Sequence, residues 1–218
     1  MQEKYPWVTT YGYCINNPIK LVDPNGEEIR INWSLNEGGK IMRRYFIYKG
    51  GKLYFENGKL YKGNISYVRK VQNDLKLLSS ESNLLKNRII ELERSKHIHI
   101  ITIGDSKIYG NSNTPANQIK DESHIPTGSL TKYNPYSDYD INGNYRPARI
   151  GLAHELLGHG YNSDKGTNNY SITSNGIIRN EVQAVNIENV ARAAINEPKR
   201  TTYDDKKIPE RELWNTHK

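Results

Sequence analysis

The sequence predicts an α+β fold, a small mixed sheet combined with a histidine-bearing helix and a glutamate-bearing helix. Three stretches carry the framework. Tyr45-Phe-Ile-Tyr48-Lys-Gly-Gly-Lys-Leu53-Tyr-Phe55-Glu-Asn57-Gly58-Lys-Leu60-Tyr61 is a set of short aromatic runs broken by Gly-Gly and Asn-Gly, the pattern of a β-meander with tight turns. Val68, Val71, Leu75 and Leu78 then recur at helical spacing, and beyond the break at Ser79-Ser80-Glu81-Ser82 so do Leu85, Ile89 and Leu92. His97-Ile-His99-Ile-Ile-Thr-Ile103 is β-branched and bounded by Gly104, as a strand would be.

Composition bounds the rest. The chain has 218 residues, room for one good domain with an appendage. Hydrophobic residues make up 35%, and with only two Phe and two Met the 16 tyrosines must build much of the core. No apolar run approaches the roughly 20 residues that span a bilayer. Met1 is followed by Gln-Glu-Lys-Tyr-Pro, which has no apolar signal-peptide core. A single cysteine, Cys14, excludes an internal disulfide and a multi-cysteine zinc site. The net charge of +7 is spread along the chain, which reads as a solubilising surface and not as a nucleic-acid footprint.

Taken in order, residues 1–30 differ from 31–218 and form a first segment dense in aromatics and turn formers, with Asn17-Pro18 and Asp23-Pro24-Asn25-Gly26 as turn signals. Asn64 and Ser66 are placed to cap the first helix of a packing pair. His97 and His99 read as the polar side of a half-buried strand, outside any site. Residues 104–128 are polar and turn-rich, which suggests a loop. Ser129-Leu-Thr-Lys-Tyr133-Asn-Pro135 alternates and ends in proline, which suits an edge strand whose free backbone groups an extended peptide could pair with. Residues 136–145 form a loop rich in Asp, Asn and Gly. Pro147 then falls at helix position N1, and the helix runs on through the next motif.

That motif is Arg149-Ile-Gly-Leu-Ala-His154-Glu155-Leu-Leu-Gly158-His159-Gly160. The common zinc-peptidase signature sets two histidines at i and i+4, with a glutamate after the first. Here the second is at i+5, about 140° away around a regular α-helix. A π-bulge near Leu157-Gly158 would absorb the extra residue, and Gly158 has no side chain to obstruct the widened turn. A hydrolytic zinc takes three protein ligands and keeps one position open. His154 and His159 supply two, and Glu155 is the base that activates a zinc-bound water. The third ligand is expected from a second helix over residues 180–192, where Glu181 and Glu188 lie seven residues apart on nearly one face. The small Ala184 would let that helix approach closely and favours Glu181. Glu188 would then orient a histidine or pair with Arg192.

Several resemblances add to this reading. Tyr11-Gly-Tyr13-Cys14-Ile-Asn16-Asn17-Pro18, followed by Asp23-Pro24-Asn25-Gly26, resembles the closing sequence of Rhs/YD-repeat cores, after which a variable toxin tip follows. His154-Glu155-Leu-Leu-Gly158-His159 resembles the metal motif of the dipeptidyl peptidase III family, in which the same expanded spacing binds zinc. Asn180-Glu181-Val-Gln-Ala184 resembles the glutamate helix of gluzincins, which implies Glu181 as ligand. From Ser129 through Glu188-Asn189-Val-Ala-Arg192 to Arg200-Thr-Thr-Tyr203 the chain resembles zincin-type toxin tips and NleD-like secreted effectors, though the usual member has the four-residue histidine spacing. These resemblances imply a zincin-like metallopeptidase toxin domain, secreted or delivered into a target cell, with a protein substrate. They further imply a cognate immunity protein and the remainder of an Rhs shell as partners. Tyr203 could stabilise the oxyanion. The alternative is a non-catalytic tip that binds a receptor or partner. A nuclease tip ranks third, for want of a basic aromatic cluster and an acidic metal pair.

Overall fold

The computed structural model describes residues 28–37, 40–104, 111–139 and 145–215. The Rhs-like stretch, at 11–26, lies outside them. The described chain is α+β, and its main sheet has six strands in the order β3-β2-β1-β4-β6-β5. These are β1 (Glu28–Glu37), β2 (Lys40–Lys49), β3 (Lys52–Tyr54), β4 (Ile98–Ile103), β5 (Ser112–Pro115) and β6 (Ser129–Tyr133). β1, β4 and β6 run parallel, while β2, β3 and β5 are antiparallel to their neighbours, so the sheet is mixed. β1 begins at Glu28, so the expected boundary at residue 30 falls inside it.

Strand register explains the core. Phe46 and Tyr48, Ile29 and Ile31, His99 and Ile101, and Ser129 and Thr131 face one another across four strands, and all are buried. Against this face pack α1 (Ser66–Glu81) and α2 (Asn83–Glu93), with Val68, Val71, Leu75, Leu78, Leu85, Ile89 and Leu92 in the core at their expected spacing. Neither Asn64 nor Ser66 caps α1. Its N-cap is Ile65, which makes no side-chain cap bond and donates its own N–H to Tyr61 Oη at 3.0 Å.

Three expectations are corrected. Residues 104–128 are not all loop, since they contain β5 and the short helix α3 (Gln118–Glu122). β6 is not an edge strand: β5 pairs with its outer side, and Pro135 falls beyond the strand's last residue, where it cannot interrupt the ladder. His99 is not on a polar face. It is fully buried, with Nδ1 3.0 Å from Ser129 Oγ and Nε2 3.2 Å from Asp164 Oδ1, and Ser95 donates to the same carboxylate. Asp164 lies near the end of the helix over residues 148–165, so this buried polar chain ties β4 and β6 to that helix.

That helix is one continuous rod in three parts: α4 (Ala148–Leu152), a π-helix (Ala153–Gly160) and α5 (Tyr161–Lys165). Pro147 is its N-cap and not N1, so the helix begins one residue later than expected, and the first free N–H, that of Ala148, donates to Asp138 Oδ1 at 2.9 Å. Gly166 closes it in the left-handed conformation, φ 63°, which glycine adopts without strain. α6 (Arg179–Ala194) crosses the π-helix, and a hairpin of β7 (Thr202–Tyr203) and β8 (Lys206–Lys207) follows it. Among the described residues no helix is long and apolar enough to cross a membrane.

Candidate metal centre

The five-residue histidine spacing is accommodated by an eight-residue π-helix, longer than a single-turn bulge. Hydrogen bonds that run from i to i+5 place residues five apart above one another. The Tyr161 N–H, for example, reaches back to the Leu156 carbonyl. His154 and His159 are thereby brought to a ring-centre separation of 5.1 Å, inclined at 69°. Leu152, Leu156 and Leu157 are fully buried in the main core, so packing fixes the rotation of the rod. Gly158 has a further role beyond the one expected, since a side chain there would strike Ala184 of α6.

α6 presents two carboxylates to the histidines. Glu181 Oε2 is 3.1 Å from His159 Nε2 and 3.5 Å from His154 Nε2. Two ligands of a tetrahedral zinc at about 2.0–2.1 Å stand roughly 3.4 Å apart, so these spacings suit a His₂Glu site. One oxygen of Glu155 also lies within 4.8 Å of a nitrogen on each ring. Two carboxylates thus approach the same point; Glu181 touches both rings, whereas Glu155 stands further off. Glu188 sits on the far side of His154, with Oε2 3.1 Å from Nδ1. It also receives Arg192 Nη2 at 2.8 Å and Arg200 Nη1 at 2.9 Å. It therefore fills both roles foreseen for it, orienting a histidine and pairing with Arg192.

The electrostatics follow from burial and these contacts. Desolvation would depress the His154 pKa, but the carboxylates of Glu181 and Glu188 outweigh it and raise the group to about 9. Burial pushes the Glu181 carboxyl up, yet hydrogen bonds to the two imidazoles hold it well below the usual carboxylate range. Burial acts likewise on Glu188, and His154, Arg200 and Arg192 hold it down.

Tyr203 joins the same cluster. Its ring stacks at 6° to the His154 ring, 6.3 Å between centres. Burial first, then the charge of Glu181, push its phenol pKa up. Two residues with positive φ, Asp204 and Asp205, form the turn that carries it, as a type I′ hairpin requires. Arg200 anchors the hairpin through Glu188 and through backbone bonds with Asn189 at 2.7 and 2.9 Å. A cleft of about 270 Å³ opens over the site, lined by Ser112, Asn113 and Pro115 of β5 together with Glu155, Glu181 and Tyr203.

The structure thus brings together His154, Glu155, His159, Glu181 and Tyr203. The β5 wall and the charge contact from Arg200 were not foreseen. The only sequence signal for the latter was its place in the Arg-Thr-Thr-Tyr stretch. No family model matches this chain, and no curated protein matches it.

Proposed function

We propose that the chain is a zinc-dependent endopeptidase, with His154, His159 and Glu181 as ligands and Glu155 as general base. The observation that carries this reading is that one oxygen of Glu181 faces Nε2 of both histidines while Glu155 stands beside them on the cleft. Zinc held by these residues would supply Lewis acidity, polarising a peptide carbonyl and acidifying the attacking water. Glu155 takes the proton of that water and returns it to the leaving amine. Tyr203 keeps its phenolic proton and donates a hydrogen bond to the oxyanion as it develops. Glu188 accepts from His154 Nδ1, which leaves the Nε2 lone pair for the metal. β5 is an edge strand bordering the cleft, so an extended substrate can pair with it as an added strand. On the resemblance of residues 11–26 to Rhs cores, the domain is a toxin tip delivered into a target cell, with a protein substrate there and an immunity protein as partner.

The deciding experiment combines metal analysis of purified protein with expression of wild type and Glu155→Gln in a test cell, followed by a search for new protein ends. Stoichiometric zinc, toxicity lost in Glu155→Gln and new ends confined to wild type are expected. Absent zinc, with the variant as toxic as wild type, would make this a non-catalytic tip.

A further inference from the structure

Arg88 belongs to α2, in the helix pair whose apolar spacing reads as simple packing, 69 residues before Leu157. Its guanidinium crosses to the middle of the π-helix. There Nη1 donates to the Leu157 carbonyl at 2.5 Å, and the group lies 4.1 Å above the centre of the Tyr161 ring. Burial pushes its pKa down to about 10, so it stays charged at neutral pH.

In a regular α-helix the Leu157 carbonyl would take the N–H of Tyr161, four residues on. Here that N–H goes to the carbonyls of Leu156 and Gly158 instead. The turn has widened by one residue, and a side chain from another helix meets the displaced carbonyl. A buried carbonyl left unmet is costly, so the widened turn depends on a donor at this point. Arginine suits the position because a planar guanidinium can lie on an aromatic ring and donate sideways. Glu91, one turn further along α2, is engaged by Tyr161 Oη at 2.8 Å and Lys165 Nζ at 3.0 Å, so that acid faces Tyr161 and Lys165 while the guanidinium faces the carbonyl.

We propose that Arg88 is a positioning residue: by holding the Leu157 carbonyl out of the α-helical ladder, it sets the π register that brings His154 and His159 to one point. Without it the Tyr161 N–H returns to Leu157 and His159 swings away from His154. The register is a property of the protein alone; only its consequence for ion binding rests on the metal reading above.

Two readouts test it. In metal-free protein, long-range NMR correlations across hydrogen bonds connect Tyr161 N to the Leu156 carbonyl carbon. In Arg88→Met that correlation moves to Leu157. Competition with a chelator then measures Co²⁺ affinity, which falls about ten- to a hundred-fold in Arg88→Met, the range for outer partners of metal ligands. The loss nearly vanishes when Arg88→Met is added to His159→Ala, and Arg88→Lys, which keeps a donor, recovers part of it. An unchanged Tyr161–Leu156 correlation in Arg88→Met overturns the proposal, as does an equal loss of Co²⁺ affinity with and without His159. Should Arg88→Met fail to fold, Arg88→Gln and Arg88→Lys support the same comparisons. A wild type that binds no Co²⁺, with the correlation still moving in the variant, sinks the metal reading and leaves the register inference standing.

Discussion

A β-carbon placed on Gly158 would stand 2.8 Å from both Cα and Cβ of Ala184. Real β-carbons do not approach that closely, so the π-helix and α6 touch at a point where one of them must have no side chain. That contact sets how near Glu181, three residues before Ala184, comes to the two histidines. Gly158→Ala would normally favour a helix by up to about 1 kcal/mol. Here we expect the opposite, a loss of about 1–3 kcal/mol from overpacking, together with weaker zinc binding as α6 moves outward. Chemical denaturation and zinc titration check both. A variant as stable as wild type, with unchanged affinity, contradicts the account.

Glu181 and Glu188 lie on one face of α6 but should respond differently to loss of charge. Glu188 is fully buried against His154 and the half-buried Arg192 and Arg200, so Glu188→Gln leaves these groups without their counter-ion. Removing one partner of a fully buried pair costs about 3–5 kcal/mol, which sets the upper bound for these half-buried arginines. Glu181→Gln should cost less stability and more zinc affinity, because its carboxylate faces the ligand point. Denaturation and zinc titration of both variants should therefore give opposite rankings. Identical rankings would mean that the assignment of ligand and orienting residue is wrong.

Tyr203→Phe removes the hydroxyl, and with it a hydrogen bond to Glu181, while the ring remains stacked on His154. If the phenol donates to the oxyanion, kcat falls about a hundred-fold, the scale for losing one such donor, while KM and zinc content barely move. A fall confined to KM would assign Tyr203 to substrate binding, and unchanged kinetics would remove it from the reaction.

The parts of this site that could be read from the sequence are those written locally. The spacing of His154 and His159 demands a helix wider than α at that point, and the apolar residues of α1 and α2 announce their faces. What lies hidden is carried by distant partners. The π-helix runs for eight residues, and Arg88 and Ala184, remote in the chain, meet it at Leu157 and Gly158. β5 is invisible in Ser112-Asn-Thr-Pro115, which has a single β-branched residue; it is a strand because β6 offers it an edge. His99 sits among isoleucines like a surface-facing residue. Only the fold brings Ser129 and Asp164 to its two nitrogens.

Asp74 offers a test of the scaffold away from the candidate site. It lies on α1, where Tyr133 Oη donates to its Oδ2 at 2.8 Å. Burial is the main influence on this carboxyl and raises its pKa to about 6, against the opposing effects of the Tyr133 bond, Lys70 and Arg149. An unfolded aspartate titrates near 3.9. Between about pH 4 and pH 6 the native protein therefore holds a proton that the unfolded chain has released. The native state binds more protons across this window, so the stability contributed by Asp74 is present below it and lost as pH rises through it. Ionising a carboxyl held at about 6 in place of one at about 4 costs the native state on the order of 3 kcal/mol by neutral pH. Asp74→Asn retains an acceptor for Tyr133 and cannot ionise. Denaturation curves of wild type and variant should therefore diverge from pH 4 to pH 7, the variant gaining in relative stability by up to that amount. Subtracting the two cancels every other titrating group, and a difference that stays flat across the window would show that Asp74 ionises in the native state as freely as in the unfolded chain.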